Sequence, residues 1–189
     1  AGKLMEAELK ALESVLGQPK RPVVTVVGGA KISTKIALLE NLIEKVDCMI
    51  IGGAMANTFL FSKGFNVGRS LVEESLKPTA LKILNKAKKY SCKIILPTDV
   101  IIAKELSKNT TSSVVPADSC PENYMILDVG PSTVDNIKQC INSAKTLLWN
   151  GPLGAFEVSP FDAATNQAAK YASAVSYTHL TLPTTSWGV

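Results

Sequence analysis

The chain has 189 residues, 46% of them apolar, 19% charged and 6% aromatic, and carries a formal net charge of +4. That length fits one domain of ordinary size, and the balance excludes a disordered or fibrous chain in favour of mixed helix and sheet. Scattered lysines with only two arginines, Arg21 and Arg69, speak against nucleic acid and for a small anion as partner, while no apolar run approaches the roughly 20 residues of a membrane-spanning helix. In chain order, Leu4, Met5, Leu9, Leu12, Val15 and Leu16 recur at helical spacing and stop at Gly17 and Pro19. Pro22 to Val27 reads as a buried strand broken by Gly28 and Gly29, and the apolar residues from Ile32 to Val46 predict a helix over 31–46. The same unit repeats as a strand over 48–51, a turn at Gly52 and Gly53, and a helix over 55–62 ending at Lys63 and Gly64.

A lysine-rich helix is expected over 73–90, short strands over 93–96 and 99–103, and an irregular stretch over 104–123. A strand over 124–128 then meets Gly130 and Pro131, a helix follows over 132–144, and a strand over 146–149 closes at Asn150, Gly151 and Pro152. Strands alternating with helices imply an α/β fold, a parallel sheet covered on both faces, with ligands gathering beyond the carboxyl ends of the strands. The glycine turns all lie at those ends. The segment 175–189 differs: its one ionisable side chain of acid or base type is His179, it is crowded with threonines, and it shows neither period. Its wording reads as adapter-like and foreign to the native chain, so it is set apart from residues 1–174, and His179 is given no role. The start, without methionine and already inside a helical pattern, reads as a cut in a longer chain.

Three segments could carry chemistry. In VVGGAKISTKI, Lys31 and Lys35 stand four apart at the opening of the expected helix, which would put two ammonium groups on one face near the positive end of its dipole. A bound polyphosphate would relieve their repulsion, and the glycines would let backbone approach it; an ordinary turn with two solvated lysines fits the spacing as well. The turn IIGGAMANT offers a place for a flat ring against backbone, or only close helix-to-strand packing. In WNGPLGAFE, Asn150 gives an amide at a strand end, Pro152 a rigid apolar shelf, and Glu157 a carboxylate able to accept from sugar hydroxyls, unless it is one exposed acid on a tight loop. Neither GxxxxGK[ST] nor GxGxxG occurs. Cys48, Cys92, Cys120 and Cys140 form no CxxC pair, so neither a zinc site nor a disulfide framework is indicated, and reduced thiols in a cytoplasmic protein are expected.

Taken together, VVGGAKISTKI, MIIGGAMANTFL, LDVGPST and LLWNGPLGAFE resemble phosphoglycerate kinase in order and spacing, and the opening AGKLMEAELKAL resembles the entry to that family's C-terminal domain. The resemblance covers Ala1 to about Ala174. It implies a Rossmann-like domain, incomplete at its C-terminus, that binds ATP or ADP with Mg2+. A separate N-terminal domain would bind 3-phosphoglycerate or 1,3-bisphosphoglycerate. Lys31 and Lys35 match the family's phosphate-binding lysines, Lys31 being the one expected to stabilise the phosphoryl group in flight, and Asn150 matches the phosphate-contacting asparagine. Gly29, Ala30, Gly53, Ala54, Leu127, Pro152 and Ala155 match the adenine pocket, and Glu157 matches the acid on the ribose. Ala54 stands where many members have glycine. The family's later GGGD[ST] loop, which contacts the metal and terminal phosphates, is not found, so the piece alone is expected to be inactive, monomeric, and of marginal stability or prone to associate. The alternative from another class is a non-catalytic nucleotide-binding module.

Overall fold

The computed structural model describes residues 16–175 and 179–181. The helix expected over residues 4–16 lies outside the described residues apart from Leu16. Five parallel strands form the main sheet: β1 (Val23–Gly28), β2 (Cys48–Gly52), β3 (Lys93–Ile95), β7 (Thr146–Asn150) and β8 (His179–Thr181), in the order β3-β2-β1-β7-β8. Strand β1 lies at the centre and is buried along its whole length, the pattern of a parallel strand covered on both sides.

Alternation along the strands divides the core into two layers. Val23 and Val27 of β1, Met49 and Ile51 of β2 and Leu148 of β7 face helices α1 (Ile36–Ile43), α2 (Ala54–Ser62) and α3 (Lys77–Lys89). Val24, Val26, Ile50, Leu147 and Trp149 face the other way, toward α4 (Pro131–Ser143) and α5 (Ala163–Ala174). Each covering helix buries one stripe, as Leu38, Leu39, Leu42 and Ile43 do in α1 and Val134, Ile137 and Ile141 do in α4.

Three differences from the sequence-based expectations have physical causes. The expected helix over 31–46 is broken: Ile32–Thr34 is a single 3-10 turn, Lys31 is extended, and Lys35 sits at the junction with α1 with φ −125° and ψ 3°. The strands expected over 99–103 and 124–128 leave the parallel sheet. As β4 (Asp99–Ala103) and β6 (Met125–Val129) they flank a strand, β5 (Ser112–Pro116), inside the stretch expected to be irregular, giving an antiparallel sheet in the order β5-β4-β6. Most of β5 is exposed, so it carries no apolar run to announce it. Finally, β8 pairs with β7 inside the segment set apart as foreign to the fold, with Thr146 opposite His179 and Leu148 opposite Thr181. Ladder pairing needs backbone N–H and C=O groups only, and composition is silent about those.

Candidate functional site

The carboxyl ends of β1, β2 and β7 meet in a seam made of backbone. A Cβ on Gly28 would fall inside the Pro152 carbonyl oxygen, and one on Gly151, whose φ is +98°, would fall inside that of Gly28. Gly53, with φ +72°, would set a Cβ 2.5 Å from the Gly29 carbonyl oxygen. Hydrogen bonds lock the same turns together: Gly53 N–H donates to Leu153 O at 2.9 Å and Met55 N–H to Gly29 O at 2.8 Å. Only glycine combines such approach with a left-handed backbone at low cost.

Over this seam lies a cavity of about 640 Å³, in the size range of small-molecule pockets. Gly29, Ala30, Lys35, Gly53 and Ala54 line it from the β1 and β2 turns, and Pro152, Ala155 and Glu157 line it from the loop after β7. Leu127 and Asp128 of β6 close another side, where Ala155 N–H donates to Leu127 O at 2.8 Å. Lys35 Nζ donates to Asn150 Oδ1 at 2.7 Å, joining the first turn to the end of β7 across 115 residues of sequence. Asn150 therefore reaches the cavity's edge through Lys35. Lys31 is exposed on the extended residue before the 3-10 turn and is not a wall of the cavity. The pairing of Lys31 and Lys35 on one helical face does not form, because the helix does not begin until Ile36. Glu157 is exposed and lines the cavity from the loop after β7.

Other cavity residues have no part in the sequence reading. Asp128 is 2% exposed; its Oδ1 accepts from Val129 N–H at 2.9 Å and its Oδ2 from Ala164 N–H, in the first turn of α5, at 3.1 Å. Burial pushes its carboxyl up to about 7 against the pull of those two N–H donors, and nearby Asp162 adds to the rise. The residue stands inside LDVGPST, one of the strings quoted above, but nothing beside it in the sequence marks it as buried. Leu71 and Leu106, both exposed, and Arg69, whose guanidinium donates to the carbonyls of Asn123 and Lys104, complete the outer wall. They come from loops between elements, where neither period nor motif singles them out.

An open parallel sheet covered on both faces, with glycine turns, a lysine and an amide around a cavity at its carboxyl edge, defines a Rossmann-like α/β domain with a small-molecule cavity where ligands of such sheets gather. The phosphoglycerate kinase family model matches residues 1–182, and the chain belongs to the phosphoglycerate kinase family. Phosphoglycerate kinase of Ruegeria pomeroyi is 56% identical over 176 residues, covering 93% of this chain and 44% of that protein. That of Jannaschia sp. (strain CCS1) is 58% identical over 173 residues, 92% of this chain and 44% of the relative. Among solved structures, phosphoglycerate kinase from Coxiella burnetii superposes with a TM-score of 0.87 at 40% identity, over 94% of this chain and 46% of that one. The chain spans less than half the length of the relatives it matches.

Proposed function

We propose that this chain is the ATP- and ADP-binding part of a phosphoglycerate kinase, a cytoplasmic glycolytic enzyme that moves a phosphoryl group between 1,3-bisphosphoglycerate and ADP. The observation that carries the reading is the 2.7 Å bond from Lys35 Nζ to Asn150 Oδ1 beside a cavity floored by glycine backbone. A cation fixed by an amide over a floor without side chains suits a polyphosphate, because charge is supplied in advance and the backbone allows close approach. In this proposal Lys35 and Asn150 hold the phosphates, Lys31 swings in from its exposed position to neutralise the group in transfer, and Glu157 accepts from the ribose hydroxyls. The base lies between Gly29, Ala30, Gly53 and Ala54 on one side and Leu127, Pro152 and Ala155 on the other.

Catalysis of phosphoryl transfer needs positioning and charge neutralisation and no covalent enzyme intermediate. Among the described residues no group of three or more His, Cys, Asp or Glu side chains is assembled that could hold a metal. Mg2+ is assigned to the nucleotide as part of the substrate. The sugar acid, 3-phosphoglycerate or its bisphosphate, is assigned to a separate domain of a monomeric parent. Because the chain spans less than half of its relatives, a non-catalytic nucleotide-binding module is the second reading. Titration calorimetry with MgADP separates these. Binding at millimolar affinity or tighter, weakened about tenfold or more in Lys35→Ala and Lys31→Ala, is expected from loss of a charge-assisted phosphate contact. No heat of binding in a folded sample overturns both readings. Turnover of 3-phosphoglycerate and ATP by this chain alone would contradict the inactivity expected of it.

A further inference from the structure

A second cavity, of about 880 Å³, lies beside the start of β2 and is lined from α4 by Asn136, Gln139, Cys140 and Ser143, outside that helix's buried stripe. Its wall contains two cysteines 92 residues apart in sequence: Cys48, the first residue of β2, and Cys140 of α4. Their Sγ atoms lie 2.8 Å apart, inside the ordinary contact distance of two sulfurs. A disulfide bond is about 2.05 Å long, so covalent closure calls for movement of less than about 1 Å. The two thiols are not equivalent. Cys48 is 6% exposed, while Cys140 is only partly buried and meets the cavity.

Charge supports the same division of roles. Lys93 of β3 is the register neighbour of Cys48 and lines the same cavity. Two acids line the cavity, Asp47 and Asp118, and Asp47 is engaged by Arg21 at 2.9 and 3.0 Å and by Val23 N–H at 2.7 Å. The shared proton with Cys48, followed by the Lys93 charge, holds the Cys140 thiol below its ordinary range against the effect of burial. The same shared proton and burial hold Cys48 far above it. Reactive thiols occupy partly exposed, electropositive places of this kind, whereas deeply buried ones are inert. Cys92 and Cys120 are of the inert kind, each raised by burial.

We propose that Cys48 and Cys140 are an oxidisable dithiol, in which a small hydroperoxide entering the second cavity oxidises Cys140 and Cys48 then closes an intramolecular disulfide. In the first step the Cys140 sulfur attacks one peroxide oxygen, the O–O bond breaks, and the other oxygen leaves as an alcohol or water after taking a proton, leaving a sulfenic acid. In the second, the Cys48 sulfur attacks that of Cys140, the S–S bond forms, the S–O bond breaks, and the hydroxyl departs with the Cys48 proton as water. The pair loses two electrons and the hydroperoxide gains them. The product ties the entry of β2 to α4, and in a reducing compartment it would be short-lived and restored by thiols.

The test treats the full 189-residue chain with hydrogen peroxide, alkylates it under denaturing conditions and maps the peptides. The expected result is loss of two of the four thiols, a Cys48–Cys140 cross-linked peptide, and recovery of both by dithiothreitol, with Cys92 and Cys120 still alkylated. In Cys48→Ser, Cys140 stops at the sulfenic acid and is labelled by dimedone; in Cys140→Ser, Cys48 stays alkylatable. Four alkylatable thiols after a peroxide dose that oxidises free cysteine overturn the proposal. So does a cross-link involving Cys92 or Cys120, or one only between two copies. The unsubstituted chain decides the matter even where a serine variant does not fold.

Discussion

Asp128 shows how much a single side chain can set without touching a ligand. Its carboxyl, 2% exposed, bridges β6 and the first turn of α5, and a Cβ on Gly154 of the cavity loop would fall inside its Oδ1. The folded chain keeps this proton up to about pH 7, whereas the unfolded chain releases it near its ordinary value of 3.8. A native state that binds more protons than the unfolded one loses stability as pH rises, here between about 4 and about 7, with no further loss above that. Urea unfolding should therefore give a lower stability at about pH 8 than at about pH 5. The difference should be on the order of 2 kcal/mol and largely absent in Asp128→Asn. Equal slopes in the two proteins would show that the carboxyl is ionised throughout. Lys35, Asn150 and Glu157 could be singled out from sequence because each stands in a long glycine-bearing string. Asp128 stands in such a string too, LDVGPST, but its burial comes from the α5 backbone and the Gly154 loop, which are distant in sequence.

Helix α4 illustrates the same lesson for whole elements. Its start is legible, with Pro131 in the first turn after Gly130, and Val134, Ile137 and Ile141 at helical spacing. Its cap is not, because Gly130 has no side chain and the capping group comes from another strand. Asp99 of β4 accepts from Ser132 N–H at 2.9 Å, Thr133 N–H at 2.8 Å and Thr133 Oγ1 at 2.6 Å. Asp99→Ala should cost about 1–2 kcal/mol, the usual worth of a cap, seen as a lower urea midpoint with an unchanged m-value. A change within error would mean that water replaces the carboxylate. This cross-brace ties the antiparallel sheet to the parallel one, which explains why β4 and β6 could not be assigned to a sheet from their own residues. Alternation identifies a strand, whereas the partner it chooses depends on contacts such as Asp99 with Thr133, 34 residues apart. Helix α5 went unread for a different reason: its buried stripe is Ala164, Thr165, Ala168 and Ala172, too weakly apolar to stand out.

At the scale of the molecule, nucleotide binding as proposed couples to folding. The turns that line the cavity are also the places where β1, β2 and β7 are held against one another, so occupancy should stabilise the whole sheet. A ligand at about a hundred times its dissociation constant adds roughly 2.7 kcal/mol. For a chain of this length that corresponds to a rise in Tm of roughly 5–10 °C. MgADP at such a concentration should produce that rise by differential scanning fluorimetry, and Lys35→Ala, its binding weakened about tenfold or more, should show about half of it or less at the same concentration. An undiminished rise in the variant would move the binding elsewhere on the surface.

The seam of Gly28, Gly53 and Gly151 also limits how the pocket can diversify. Where main chain rests on main chain, every substitution adds atoms and none removes them, so the floor has no smaller variant to explore and no room for a larger one. If the cavity takes a nucleotide as proposed, selectivity among bases and chain lengths is retuned from the sides, at positions such as Leu71, Leu106 and Leu127, which stand clear of the seam. A mutational scan of the chain should find the floor intolerant and those walls permissive, with altered preference rather than lost folding as their signature.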